Sequence, residues 1–316
     1  MTDQDTLQKY LTFAIALAKE AGRIVTNAVQ ARQNGNGNDF LVKYDNPTDL
    51  VTETDQAVEK FIKGKLEETF PEHKFIGEET MAAGAQVEFT DDPTWIVDPI
   101  DGTTNFVHGF PFVAVSIGLT VQKEPVVGVV YCPLIDELYS AAKGLGVFLN
   151  ETTPLPLFKP APPLGDLSRC LVATEAGSDR SPEVFDKKMT FIHSLLRKKR
   201  ESNDTSSGQA HSVRCTGSAA INMCFVARGN VDVYWEVGCW EWDVAAAIVI
   251  VRESGGIVVT GSSKADPRPV NIFSRKYMAI RAATDESSQL KIAHQMWEII
   301  PEVDAPRKPV PGGFEF

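Results

Sequence analysis

Carboxylates gathered at the ends of apolar runs are the residues whose types and spacing could do chemistry in this chain. Glu78 and Glu79 follow Phe75-Ile76-Gly77, and Asp98 and Asp101 follow Trp95-Ile96-Val97. Asp55 closes Thr52-Glu53-Thr54-Asp55, and Asp243 comes after Trp240-Glu241-Trp242. Taken singly, each acid reads as a helix cap or a solvated loop residue. The run Asp98-Pro99-Ile100-Asp101-Gly102-Thr103-Thr104 carries more. An apolar strand delivers Asp98, Pro99 sets a rigid bend, and Asp101 can then return to the same side. Gly102, Thr103 and Thr104 offer bare backbone N–H groups that an anion can approach closely. Carboxylates beside an anion-receptive backbone make sense with divalent cations between them, and oxygen ligands on a short rigid turn suit Mg²⁺. Metal ions sharing carboxylates bring water and a phosphate ester together for in-line displacement.

Other chemistries fit less well. The Gly64-Lys65 pair is followed by Leu66, so no phosphate-binding P-loop is present, and there is no G-x-S-x-G, H-E-x-x-H or G-x-G-x-x-G. The histidines 73, 108, 193, 211 and 294 show no ligand spacing and read mostly as surface residues. His108, beside the acidic turn, is the one that could act directly. The tryptophans 235, 240 and 242 read as core and pocket wall rather than a nucleic-acid stacking platform.

The elements that must position these acids can be read from periodicity. Leu7, Leu11, Ala14, Ile15, Ala18 and Ala21 make one helical stripe over residues 5–30, and a Gly- and Asn-rich loop follows. A second helix starts at about Asp55. From Val113 to Val121 large and small residues alternate strictly, the clearest strand signal in the chain. Further strands follow at 125–131 and 137–141, with a hairpin turn at 143–146. A Pro-rich connector spans 152–164. Beyond it come a strand at 170–174, a helix at 182–199, a polar loop at 202–209 and a helix at 217–228 ending at Gly229. A strand at 231–235 precedes an apolar helix from Asp243 to Gly255-Gly256. Strands at 257–260 and 278–283 and a final helix complete the series. Consecutive strands mixed with helices point to an α+β or layered α/β fold rather than a simple alternating Rossmann fold.

Composition bounds the rest. The 316 residues carry 31 Lys+Arg against 42 Asp+Glu, a net charge of −11, with 43% hydrophobic residues. Such a chain can bury a large core. The acidic balance argues against nucleic acid or an anionic membrane surface as partner. The longest apolar run, Val244 to Val251, falls far short of the roughly 18 residues of a membrane span. The acids Asp3 and Asp5 speak against a targeting peptide. Cysteines 132, 170, 215, 224 and 239 are scattered without C-x-x-C, and read as buried thiols of a reducing compartment, hence a cytoplasmic protein.

The sequence from Trp95 through Asp98-Pro-Ile-Asp101-Gly-Thr-Thr-Asn105-Phe106 resembles the first signature of the inositol monophosphatase family. Trp242-Asp243-Val-Ala-Ala-Ala, running on to Glu253-Ser-Gly-Gly256, is similar to its second. Gly77-Glu78-Glu79-Thr80 and Asp49 to Asp55 are similar to two further family segments, in the expected order. Glu175 to Ser178 and Gly217 to Cys224 are similar to the inositol monophosphatases proper rather than to their more distant relatives. The resemblance spans nearly the whole chain. It implies a layered αβαβα sandwich as one domain over 1–305, a loose tail over 306–316, and a homodimer. It also implies Mg²⁺-dependent, lithium-sensitive phosphatase activity on a small phosphorylated polyol, with two or three Mg²⁺ ions.

Carried over by position, Glu78, Asp98, the Ile100 carbonyl, Asp101 and Asp243 would hold the metals, with Glu79 beside them. Thr103 paired with Asp55 would orient and deprotonate the attacking water. The Gly102 and Thr103 backbone N–H groups would receive the phosphate. Glu236 would read the polyol hydroxyls, and Ser178, Ala219 and Asp243 would also line the substrate site. Two departures stand out. A family lysine ahead of the Asp49 segment falls by spacing on Tyr44, with Lys43 beside it. Trp240-Glu241 is bulkier and more acidic than the family pattern, which bears on substrate choice. The implied substrate is myo-inositol monophosphate. The alternatives are a nucleotide 3′-phosphate, a sugar phosphate, or a non-catalytic role like that suspected for some fungal quinate-pathway relatives.

Overall fold

The computed structural model describes residues 3–35, 41–42, 50–201 and 203–307. Lys43, Tyr44 and positions 308–316 of the expected tail lie outside the described residues. Helix α1 (Gln4–Gln33) starts where Asp3 accepts a hydrogen bond from the Thr6 N–H, and buries the stripe running from Leu7 through Ala14 to Val25. A two-stranded ribbon, β1 (Leu41–Val42) and β2 (Leu50–Val51), precedes helix α2 (Glu53–Thr69). That helix begins two residues before the sequence suggested, because Thr52 and Asp55 form a reciprocal capping box.

The larger sheet contains seven strands in sequential order: β3 (Lys74–Gly77), β4 (Thr94–Asp101), β5 (Ala114–Val121), β6 (Glu124–Cys132), β7 (Glu137–Ala142), β8 (Gly146–Leu149) and β9 (Thr153–Pro154). Short helices α3 (Glu78–Ala82) and α4 (Thr103–His108) leave the ends of β3 and β4. The smaller sheet has the order β11-β10-β12-β14-β13, formed by β10 (Leu171–Thr174), β11 (Ser212–Arg214), β12 (Val233–Val237), β13 (Ile257–Thr260) and β14 (Lys276–Ile280). Helices α5 (Pro182–Leu196), α6 (Ala219–Arg228), α7 (Glu241–Glu253) and α8 (Glu286–Ile299) complete the fold.

The layers follow from what each face buries. Helices α1 and α2 pack on one face of the larger sheet, against Val115, Ile117 and Leu119. Helices α6 and α7 fill the space between the two sheets. Helices α5 and α8 cover the far face of the smaller sheet, around Phe191, Trp235 and Met296. This is the αβαβα layering expected. The alternation in β5 differs from a half-exposed strand, since both of its faces are buried. Its small residues make room for α7. Gly118 of β5 pairs with Gly128 of β6, and a Cβ on Gly128 would lie 2.1 Å from the Ala246 carbonyl oxygen.

Two sequence readings need correction. Cys132, Cys170 and Cys224 are buried, but Cys215 is exposed in the loop before α6 and Cys239 is half-buried. Pro306 and Arg307 are not loose. Arg275 donates to the Pro306 carbonyl, and Arg307 makes a two-pronged ion pair with Glu241 at 2.7 and 3.0 Å.

Candidate active site

The acidic turn owes its geometry to one inserted residue. Between Asp98, paired with Ser116, and Asp101, paired with Ala114, β4 advances three residues while β5 advances two. This is a β-bulge, placed where Pro99 has no N–H to give to the ladder. In a regular strand Asp98 and Asp101 would face opposite ways; the bulge turns both to one side. Asp98 fixes the bend by accepting from the Ile100 N–H at 2.9 Å. Gly102 then takes φ +91°, and a Cβ there would meet the carbonyl oxygens of Phe112 at 2.9 Å and Gly217 at 3.1 Å. Both conformation and space therefore require glycine.

Asp243 arrives from the other side. It lies in the first turn of α7, where it accepts from the Trp240 N–H at 2.6 Å. Ser116, the cross-strand partner of Asp98, donates to the Trp242 carbonyl at 3.2 Å and so ties that turn to the sheet. The result is that carboxylate oxygens of Asp98, Asp101 and Asp243 lie within 4.8 Å of one another.

Asp98 is 2% exposed and Asp101 is 7% exposed. Burial first, then the negative charge of neighbouring acids including Glu78, pushes the carboxyls of Asp98 and Asp243 well above the usual range. Burial also raises Asp101 to about 6, although Ser218 and the backbone of Ala220 and Ala219 partly oppose it by hydrogen bonding. This concentration of buried anionic oxygen is what a hard divalent cation would relieve, so the donor set fits Mg²⁺. Glu78, the first residue of α3, stands near enough for its charge to act on both aspartates. Glu79 follows it and is half-buried.

Thr103 and Asp55 meet, although their elements are far apart in sequence. The Thr103 hydroxyl lies 3.1 Å from Asp55 Oδ1 and 3.1 Å from the Ile100 carbonyl oxygen, and can donate to either. Asp55 is fully buried and its other oxygen accepts from the Thr52 N–H at 2.8 Å, so the carboxylate is held on two sides.

Glu236 faces the same interlayer space from β12. It is 4% exposed, and Tyr234 donates to its Oε2 at 2.9 Å. Ala219 begins α6, whose N-terminal Ser218 hydroxyl and Ala220 N–H both donate to Asp101, at 2.6 and 2.7 Å. Ser178 is exposed in the loop after β10. His108 is exposed at the opposite end of α4 from Thr103, away from the carboxylates.

Three positioning residues were not singled out in the sequence. Glu59 of α2 accepts from the N–H groups of Glu79 and Thr80, both at 2.7 Å, and so orients the start of α3. Glu175 accepts from the Thr216 and Gly217 N–H groups and from Asn222. Asn105 donates to the carbonyls of Phe112 and Thr216, both at 2.7 Å. Asn105 and Glu175 stand inside the quoted family segments, but their partners are mostly main-chain groups distant in sequence, so no side-chain pattern shows these roles.

Carboxylates converging at strand ends inside a layered α/β sandwich are an arrangement this chain shares in its fold with solved phosphatases. The solved inositol monophosphatase of Anabaena (Nostoc) sp. PCC 7120 superposes with a TM-score of 0.69 at 28% identity, covering 94% of this chain and 98% of that one. Residues 6–300 match the inositol monophosphatase family, and the chain belongs to it. Among curated relatives, Protein qutG of Emericella nidulans is 39% identical over 96% of this chain and 97% of its own length. Inositol monophosphatase 3 of Solanum lycopersicum is 46% identical, covering 82% and 88% respectively.

Proposed function

We propose that this protein hydrolyses myo-inositol monophosphates to inositol and phosphate with Mg²⁺. The observation that carries the reading is the Thr103–Asp55 couple standing beside the three converging aspartates. Glu78, Asp98, the Ile100 carbonyl, Asp101 and Asp243 would hold two or three Mg²⁺ ions. Bound there, Mg²⁺ would offset the phosphate's charge and acidify a water molecule.

The protein's own groups do the rest. Thr103 donates its hydroxyl proton to Asp55, which leaves the Thr103 oxygen as acceptor for a proton of the attacking water. The fixed Asp55 carboxylate thereby sets which way that water's lone pair points. The backbone N–H groups of Gly102 and Thr103 receive phosphate oxygens, and the αL turn at Gly102 keeps side-chain bulk out of their way. A polyol presents only hydroxyls beyond its phosphate, so recognition falls to acceptors such as Glu236, with Ser178, Ala219 and Asp243 along the ring's path.

The reading includes lithium inhibition, a homodimer, a cytoplasmic setting in which the unpaired thiols stay reduced, and residues 1–305 working as one domain. No helix among the described residues is long and apolar enough to cross a membrane. The similarity to Protein qutG, and to the Quinic acid degradation cluster protein x of Neurospora crassa at 36% identity over 97% of this chain, supports a second reading without inositol phosphatase activity. The retained metal-type acids and the Thr103–Asp55 couple favour the first.

Phosphate release from inositol 1-phosphate, measured after chelation and again with Mg²⁺ restored, tests it. Release only with Mg²⁺ is expected, and no release at any Mg²⁺ concentration would sink the proposal. A panel with 3′-phosphoadenosine 5′-phosphate and fructose 1,6-bisphosphate separates inositol from nucleotide and sugar substrates.

A further inference from the structure

Helix α5 belongs to the outer layer, yet one of its residues reaches the substrate side. Lys188 is 2% exposed and its ammonium is buried at the end of β10. Strand β10 stops at Thr174, which pairs with Trp235, so Glu236 lies one residue past the last rung of that ladder. Lys188 rises into the gap. Its Nζ donates to the Ala176 carbonyl at 3.2 Å and stands 3.7 Å from Glu236 Oε1. Gly177, at φ +73°, leaves the room, since a Cβ there would come within 2.6 Å of Nζ. A buried ammonium is costly unless a charge partner and hydrogen bonds answer it. One main-chain carbonyl takes one of its three donors, and Glu236 supplies the opposite charge.

We infer that Lys188 is a positioning residue for Glu236: its ammonium orients that side chain and favours its carboxylate form, so that it can accept hydrogen bonds from the hydroxyls of a polyol phosphate. This deepens the proposed function and rests on its assignment of Glu236 to the polyol.

The surroundings of Glu236 show why such a group is needed. Burial, the largest influence, together with the negative charges of Glu175 and Asp101, drives the Glu236 carboxyl upward, to about 7. Lys188 and the Tyr234 hydroxyl oppose them. The thiols of Cys239 and Cys215 also lie within electrostatic reach. Lys188 is thus the cation set against two acids, and without it the neutral carboxyl would dominate at neutral pH. A neutral carboxyl is a much weaker acceptor than a carboxylate.

The test compares Lys188→Met, Lys188→Gln and Lys188→Arg with the wild type in the full chain. Titration of ¹³C-labelled glutamate carboxyls, with Glu236 assigned through Glu236→Gln, should show the Glu236 midpoint rising by about one pH unit or more in the Met and Gln variants. Lys188→Arg should return it toward the wild-type value. For inositol 1-phosphate, a one-unit rise from a midpoint near 7 predicts a KM about fivefold higher at pH 7, with the gap closing by about pH 9. The value of kcat should stay within about twofold. Hydrolysis of p-nitrophenyl phosphate, which lacks ring hydroxyls, should not change.

An unmoved Glu236 midpoint in both neutral variants overturns the inference, as does a KM penalty that is the same at pH 7 and pH 9. A wild type inactive toward inositol 1-phosphate overturns the substrate reading instead, and the carboxyl titration still decides whether Lys188 controls Glu236. If Lys188→Met does not fold, Lys188→Gln and Lys188→Arg provide the same comparison.

Discussion

Replacing Gly128 by alanine puts the packing of α7 under direct test. The added Cβ would sit 2.1 Å from the Ala246 carbonyl oxygen and 2.8 Å from its carbonyl carbon, both main-chain atoms of a helix locked between two sheets. No side-chain rotation relieves a backbone clash, so α7 must lift by about 1.3 Å to bring that oxygen to ordinary contact at 3.4 Å. Overpacking of this kind costs about 1–3 kcal/mol, and a backbone obstacle belongs at the upper end. At about 2–4 °C per kcal/mol for larger domains, the melting temperature should fall by roughly 5–10 °C. Because α7 carries Asp243, the same lift moves a carboxylate of the aspartate cluster, and misplacement by about 1 Å can lower kcat around a hundredfold. Gly64→Ala is the matched control. It lies inside α2 with nothing within 4 Å of the new Cβ, and should stabilise by about 0.5–1 kcal/mol. Melting followed by circular dichroism, together with phosphate release, reads both effects. A Gly128→Ala protein that melts with the wild type and keeps its kcat would refute the argument that the paired glycines seat α7.

Further predictions follow from the charged groups. Asp98→Asn removes one of several crowded buried acids, so it should fold normally while losing the phosphate release proposed to depend on Mg²⁺; Mg²⁺ is expected to raise the melting temperature of the wild type and not that of the variant. Arg307→Ala leaves Glu241, which is fully buried, without its cation, and should cost about 3–5 kcal/mol in urea unfolding; an unchanged midpoint would count against the pair. Burial alone would raise Glu302, but hydrogen bonds from Lys276, Ser263 and Ser262 bring it down to about 2. A lowered carboxyl contributes stability that is present above its unfolded value of about 4.5 and is lost as pH falls toward 2. Glu302→Gln should therefore flatten the stability curve in that window and leave it parallel to the wild type above it.

The sequence displays most of this architecture because its periodicities match the layers. The stripe of α1 names an element and its buried face, while the alternation of β5 and the apolar run of α7 name elements that are buried nearly all round. Short pieces escaped. Helices α3 and α4 span too few residues for a periodic pattern, and β11 is held by its parallel partner β10 rather than by its own composition. Asp98 and Asp101 could be read together because Pro and Gly punctuate the turn, but the bulge that aims them depends on register with β5. Thr103 and Asp55 were paired only through family resemblance; no local spacing joins an α2 cap to the end of β4. Nothing in the sequence sets Lys188 apart from the neighbouring charges of its helix. Its burial comes from the early end of β10, a fact of sheet geometry with no trace in the helix itself.

The Arg307–Glu241 pair also has a consequence for the order in which the molecule is made. Glu241 opens α7, next to the turn that presents Asp243, and its cation lies 66 residues further along the chain. A nascent chain that has just emitted α7 carries a carboxylate destined for complete burial, with its answering guanidinium not yet synthesised. Arg307, the last described residue, thus adds its clasp to the first turn of α7 only after the smaller sheet and α8 have been synthesised, although Ser116 already ties that turn to the larger sheet. A chain ending before Arg307 would leave the buried Glu241 without that cation.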